Sequence, residues 1–185
     1  MAEKYDHIRV RKIVQKAEGY LELDMPEYAL AEIRKASRMS VQCSPDLFYL
    51  EGAALHKIKR YRDALYPLGQ AVLLEPANLK TWLLIGNCQK RIGRCDLAIE
   101  SLENALSIQP NSPVALYNLA CYHALAKHPE ECLRYLSQAI SLSPRYREYA
   151  RNEQGFQILL DNPKFTELLR EPTTETSEQN ASATQ

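Results

Sequence analysis

The chain has no excess of charge of either sign, since 23 Lys and Arg residues stand against 23 Asp and Glu residues in a total of 185. A protein that binds nucleic acid through its phosphates needs a basic surplus, so the composition argues against nucleic acid as a partner. Glycine is also scarce, at six residues. Few glycines and few β-branched runs favour helices over sheets.

Long apolar runs and paired cysteines are missing as well. No stretch approaches the roughly 18 apolar residues that a membrane-spanning helix needs, and the charged first residues lack the apolar core of a signal peptide. The five cysteines are odd in number, and no two have the two-residue spacing of redox or metal motifs. We therefore expect reduced thiols, a cytoplasmic location and no membrane insertion.

Catalytic patterns are absent too: we find no Gly-rich phosphate loop, nucleophile elbow or His-Glu-x-x-His pattern. A zinc site from Cys88, Cys95, Cys121 and His123 lacks metal spacing, and the last two would point to different sides of one helix. Burial as small apolar residues is the simpler interpretation for Cys88 and Cys132. We predict no enzyme activity, no cofactor and no metal.

What the sequence does contain is an internal repeat of 34 residues. Three copies cover 45–78, 79–112 and 113–146, and a degenerate copy with one extra residue covers 10–44. No copy carries a net charge beyond one unit. The matching positions are Phe48, Trp82 and Leu116; Gly52, Gly86 and Ala120; Ala64, Ala98 and Cys132; Leu68, Leu102 and Leu136; Ala71, Ala105 and Ala139; and Pro76, Pro110 and Pro144.

Each copy predicts two helices, because apolar residues recur at helical spacing on both sides of a short turn. Small residues mark the predicted close approach of the two helices, with Gly52 facing Ala64. Large residues such as Trp82 and Leu102 are expected to fill the space between neighbouring repeats. A lone helical hairpin cannot bury its apolar face, so stacking must stabilise the array.

Several prolines lie at predicted helix boundaries, and one lies inside a predicted helix. Pro67 falls inside a predicted helix, where it removes a hydrogen bond, so we expect a bend. Pro26 and Pro129 are expected to begin second helices. The residues directly before other prolines are expected to cap helix starts through their side chains. They are Ser44, Ser112 and Asn162.

The spacing and these residue types resemble the tetratricopeptide repeat family. The copy at 79–112 reads Trp82-x2-Ile85-Gly86, then Ala98-x3-Leu102, and it ends at Pro110. The resemblance extends over about residues 10–146. It implies an all-α, right-handed solenoid of about four helical hairpins. The sequence departs from the family at two positions, where Gln89 and His123 stand in place of an aromatic residue.

The ends of the chain differ from the repeat. Residues 147–170 are expected to form capping helices that resemble those of bacterial arrays and cover the last apolar face. Residues 1–9 are expected to be a lead-in. Residues 171–185, rich in Glu, Thr and Ser, are expected to be a disordered tail.

The resemblance also implies a function, because the first helices of such repeats line a concave groove that holds a protein or peptide. Tyrosine offers contact area, asparagine can pair with a peptide backbone, and nearby cations favour acidic residues. We therefore predict a noncatalytic adaptor or scaffold. The groove residues are expected to be Tyr49, Leu83, Asn87, Lys90, Arg91, Tyr117, Asn118, Cys121 and Asn152.

Three other functions were weighed. A clamp for chaperone tails is disfavoured, because the positions for its cations hold Leu83, Glu148 and Asn152, which leave a carboxylate without a charge partner. A dedicated secretion-type chaperone stays open as an alternative. So does a self-assembling subunit, in which apolar residues near the N-terminus, Leu21 and Leu23 among them, would form a homodimer interface.

Overall fold

The structure is a computed structural model that describes residues 2–37 and 44–170. Cys43 and the predicted tail at 171–185 lie outside the described residues. Within them the structure has ten α-helices, one 3-10 helix and no strand, which confirms the all-α fold class. The α-helices are α1 (Ala2–Glu22), α2 (Pro26–Ser37), α3 (Pro45–Lys57), α4 (Tyr61–Leu74), α5 (Leu79–Arg91), α6 (Cys95–Ile108), α7 (Pro113–Leu125), α8 (Pro129–Leu142), α9 (Arg145–Asn152) and α10 (Pro163–Leu169), and the 3-10 helix is Gln154–Leu159.

The chain divides into two compact units, residues 1–115 and 116–185, and α7 crosses the division. In the first unit the helices pack as the pairs α1–α2, α3–α4 and α5–α6, and each pair packs on the next through α2–α3 and α4–α5. One buried apolar cluster extends from Ile13 in α1 to Cys88 in α5. Contacts thus alternate within and between hairpins, as stacked hairpins require.

The second unit holds the end of the chain. Helix α8 packs against α9 and α10, which also contact each other. Arg147 Nε and Arg151 Nη2 donate hydrogen bonds of 3.1 and 2.6 Å to the last two carbonyl oxygens of α10. These bonds satisfy acceptors that a helix end leaves open, and the positive charges complement its dipole.

Helix boundaries follow several of the proline signals. Pro26 and Pro129 begin α2 and α8, as predicted. Helix α4 runs unbroken through Pro67, which is buried, so the predicted bend does not interrupt the helix. Helix α1 begins at Ala2, so most of the predicted lead-in at 1–9 is helical.

Two of the three predicted side-chain caps are present. Asn162 Oδ1 accepts the amide N–H two residues on at 3.0 Å, and Ser112 Oγ accepts the N–H three residues on at 3.5 Å. Ser44 precedes α3 with extended backbone but makes no capping hydrogen bond, so that prediction was wrong. Asn78 caps α5, and it accepts the N–H three residues on at 3.1 Å. No proline follows Asn78, so the proline signal does not identify this cap.

In the hairpins α3–α4 and α5–α6, a glycine of the first helix lies against the second helix. A Cβ added at Gly52 would overlap the side chain of Leu68 and lie 3.3 Å from the carbonyl oxygen of Ala64, as the predicted facing of these positions requires. A Cβ added at Gly86 would lie 3.3 Å from Leu102 Cγ. Leu102 therefore packs against the first helix of its own hairpin.

Gly52→Ala is expected to lower the free energy of unfolding by about 1–3 kcal/mol, because Leu68 must move to admit the methyl group. Gly19 in the last turn of α1 is the control, since nothing lies within 4 Å of a Cβ added there. Gly19→Ala is expected to be neutral or to stabilise by up to about 1 kcal/mol through helix propensity. Urea unfolding followed by circular dichroism measures both, and equal effects of the two changes would contradict the close approach.

Candidate peptide-binding surface

Helices α3 and α5 are the first helices of neighbouring hairpins, and they contact each other. Among the predicted groove residues of this unit, Tyr49 on α3 is half-buried, as are Leu83, Asn87 and Lys90 on α5, whereas Arg91 is exposed. Burial raises the pKa of the Tyr49 phenol, which keeps it uncharged. Such side chains are packed on one side and present their remaining surface to solvent.

A polar cluster joins the C-terminal ends of α3 and α5. His56 Nε2 lies 2.8 Å from Asn87 Oδ1, so a protonated Nε2 donates to the amide oxygen and leaves the Asn87 NH2 group able to donate elsewhere. The His56 ring meets the Tyr61 ring edge-on, with centroids 5.3 Å apart. Arg91 Cζ lies 5.8 Å from the centroid of Tyr61. We call His56, Asn87, Tyr61 and Arg91 the His56 cluster.

Only part of this cluster was predicted as site residues. Asn87 and Arg91 were, but His56 and Tyr61 were not. The neighbouring Lys57 forms an ion pair, with its Nζ 2.7 Å from Asp24 Oδ1. An exposed ion pair of this kind is worth at most about 1 kcal/mol.

In the second unit, the predicted groove residues Tyr117 and Cys121 are buried. Tyr117 is 9% exposed, and its ring lies 4.9 Å from the Tyr146 ring, 6.3 Å from Tyr149 and 6.0 Å from Phe156. Burial is the main cause that raises the pKa of Tyr117. Cys121 is only 3% exposed. Both residues were expected on an open groove, but helix α9 and the 3-10 helix cover Tyr117, and little of either side chain reaches solvent.

The two predicted asparagines of this unit are more accessible. Asn118 is half-buried, and Asn152 is exposed at the end of α9. Asn152 Nδ2 donates to the backbone oxygen of Glu148 at 3.0 Å and to its Oε1 at 3.1 Å. Hydrogen bonds from Arg151 and Asn152 lower the pKa of the Glu148 carboxyl. The Asn152 amide is thus engaged within its own helix.

The buried cysteines behave as the sequence suggested. Cys88 and Cys132 are fully buried, and burial raises the pKa of their thiols to about 11 and about 12. A thiol that stays protonated is a poor nucleophile and a poor metal ligand. Within residues 2–37 and 44–170, no three His, Cys, Asp or Glu side chains are grouped to hold a metal ion. No helix in the same ranges is long and apolar enough to cross a membrane.

Comparison with known proteins adds the family. Residues 79–112 match the sequence model of the tetratricopeptide repeat. The PEX5-related protein of Mus musculus is 27% identical over 109 residues, which are 56% of this chain and 19% of that protein, so the chain spans about a fifth of this relative.

Two solved structures share the architecture. The crystal structure of YrrB, described as a TPR protein with an unusual peptide-binding site, is 26% identical with a TM-score of 0.67, over 74% of this chain and 71% of that one. MamA from Desulfovibrio magneticus RS-1, from residue 41 to its end, is 20% identical with a TM-score of 0.75, over 96% of this chain and 98% of that one.

The fold and these likenesses define a helical-hairpin repeat protein. Residues 79–112 carry a tetratricopeptide repeat, and the chain shares its fold with the TPR protein YrrB.

The hydrogen bond in the His56 cluster can be tested by a double-mutant cycle. We expect the unfolding free energies of His56→Ala, Asn87→Ala and the double variant to give a coupling of about 0.5–1.5 kcal/mol, since each single change removes the same bond. Urea unfolding of the four proteins supplies the values. If the loss of unfolding free energy in the double variant equals the sum of the two single losses within about 0.3 kcal/mol, the side chains do not interact.

Proposed function

We propose that the chain is a noncatalytic adaptor that holds a peptide or helix of a partner protein against the face formed by α3 and α5. The observation that carries this proposal is the His56 cluster. It holds the Asn87 amide in place through a 2.8 Å hydrogen bond, beside the exposed Arg91. An amide in a fixed position can pair with a peptide backbone at a lower entropic cost than a mobile one.

The chemistry of this face favours a particular kind of peptide. Tyr49 and Leu83 supply partly exposed aromatic and apolar contact area. Lys90 and Arg91 supply positive charge at the C-terminal end of α5. An extended segment with an apolar side chain and an acidic residue therefore fits best. A protein partner also suits a chain whose repeats carry almost no net charge, whereas nucleic acid does not.

The residues of the second unit take a smaller part in this proposal. Asn118 remains a candidate contact because its side chain is half-buried. Tyr117 and Cys121 would act by packing rather than by touching the partner, since almost none of their surface is exposed. Asn152 would have to exchange its bonds to Glu148 for bonds to a ligand.

The proposal is tested by copurification with an Asn87→Ala, Arg91→Glu double variant. Quantitative mass spectrometry of the captured proteins is expected to show partners reduced roughly tenfold or more, the effect of losing about 1.4 kcal/mol of binding energy. The matched control is Arg62→Glu, which makes the same charge change on an exposed residue of α4 in the same unit. If the folded double variant keeps every partner that the control keeps, the assignment of this face is wrong.

A self-assembling subunit is the second candidate, because the first hairpin exposes large apolar residues. Leu23 is 71% exposed and Tyr28 is 57% exposed. Tyr28 stacks on Tyr20 with centroids 5.6 Å apart, and Leu23 lies in the turn between the two helices of the same hairpin. A second copy of the chain could cover these apolar side chains through a symmetric interface.

Light scattering coupled to gel filtration tests self-assembly. We expect a dimer at high protein concentration and a monomer after Leu23→Lys with Tyr28→Lys, since two added charges cannot be buried there. The control is Tyr66→Lys with Leu73→Lys on α4, where both side chains are 73% exposed. A wild-type chain that stays monomeric, or a control that also dissociates, would rule out this interface. A dedicated secretion-type chaperone has no comparable observation in its favour, and recovery of a translocated protein by copurification would support it.

A further inference from the structure

The turn between α7 and α8 brings two histidine rings together. His123 lies in the last turn of α7, and His128 directly precedes the first residue of α8. The backbone N–H of His128 donates to the carbonyl oxygen of His123 at 2.8 Å, and Lys127 adopts a left-handed conformation with φ of 61°. This closed turn fixes both backbones, and it places the two Nδ1 atoms 3.4 Å apart.

That separation matches the bite of a metal chelate. Two imidazole nitrogens bound at 2.0–2.1 Å to one tetrahedral ion are about 3.4 Å apart. Imidazole nitrogen suits Zn²⁺, Cu²⁺ and Ni²⁺, and affinity rises along the late first-row metals. We propose that His123 and His128 form a two-nitrogen binding site for a late first-row divalent metal ion at the α7–α8 turn.

The surrounding side chains hold one ring and leave the other accessible. His123 is 8% exposed, and its ring stacks on Tyr135 with centroids 5.4 Å apart and an interplanar angle of 15°. His128 is exposed, so an ion enters from its side. The first turn of α8 adds two exposed carboxylates, Glu130 and Glu131, which make the local field more favourable to a cation.

Two protein ligands set the character of the site. Among the described residues no third His, Cys, Asp or Glu is grouped with the pair, so water completes the coordination and the affinity is modest. Binding requires both Nδ1 atoms to be unprotonated. In the hydrogen-bonded pair, one neutral ring carries its proton on Nδ1 and the other on Nε2. When the ion binds, the Nδ1 proton moves to Nε2 of the same ring. Both rings stay neutral, so no proton is released.

No sequence motif indicates this pair. Histidines five residues apart do not share a helix face, so their spacing matches no metal motif. Only the turn between the helices brings the rings together.

The experiment titrates the full chain, without an affinity tag, with NiCl2, and follows binding by calorimetry and stability by thermal unfolding. Nickel is used because free thiols compete for zinc. We expect one ion to bind and to raise the unfolding midpoint. His128→Asn, a change at an exposed residue, is expected to weaken binding at least about tenfold. His56→Asn and Cys95→Ser are the controls, and both are expected to bind as the wild type does.

The alternative is that the pair forms only an N–H···N hydrogen bond. In that case nickel neither binds in calorimetry nor moves the unfolding midpoint, and the proposal is overturned. Binding that is unchanged in His128→Asn, or that is lost in Cys95→Ser, would place the ion elsewhere and overturn it as well. Selective broadening of the His123 and His128 ring resonances by Ni²⁺ would support the assignment without any variant.

Discussion

The close approach of two helices within a hairpin is the constraint on which the rest of the first unit depends. Gly52 and Gly86 have no side chain, so Leu68 and Leu102 from the second helices reach their backbones. Ala64 and Ala98 are fully buried beside them. Only when the pairs pack at this distance can α3 and α5 come into contact and bring His56 within hydrogen-bond reach of Asn87. The face formed by α3 and α5 therefore depends on small residues that do not belong to it.

The sequence predicted this scaffold well because a repeat gives each equivalent position the same surroundings. The glycines, the buried alanines and the prolines that begin α2 and α8 follow directly from that regularity. What it predicted poorly lies where the regularity ends. Tyr117 has the same place in its repeat as Tyr49, but it packs against aromatic rings of α9 and the 3-10 helix and is buried.

The candidate site was less predictable for a different reason. Periodicity identifies which residues lie on the first helices, and so it found Asn87 and Arg91. It does not give contacts between side chains of neighbouring repeats that occupy different positions in the 34-residue unit. His56 is 31 residues from Asn87, and Tyr61 begins a second helix, so neither follows from the repeat spacing. These contacts depend on rotamers and on how successive hairpins stack.

The departures from the family pattern are explained by pairs of residues rather than by single positions. Gln89 stands where the family has an aromatic residue, and Ser101 Oγ on the facing helix donates to its Oε1 at 2.7 Å. One repeat later, 34 residues on, the same two positions hold His123 and Tyr135, which stack. One repeat earlier they hold Leu55 and Pro67, both buried.

The hairpins at 79–112 and 113–146 therefore fill this place with a matched pair, hydrogen-bonded in one and aromatic in the other. A change on one helix is compatible with the fold when the facing residue changes in kind. The same freedom allows the last repeat to place a histidine at this position, next to a turn that supplies a second one, without disturbing the core on which the array depends.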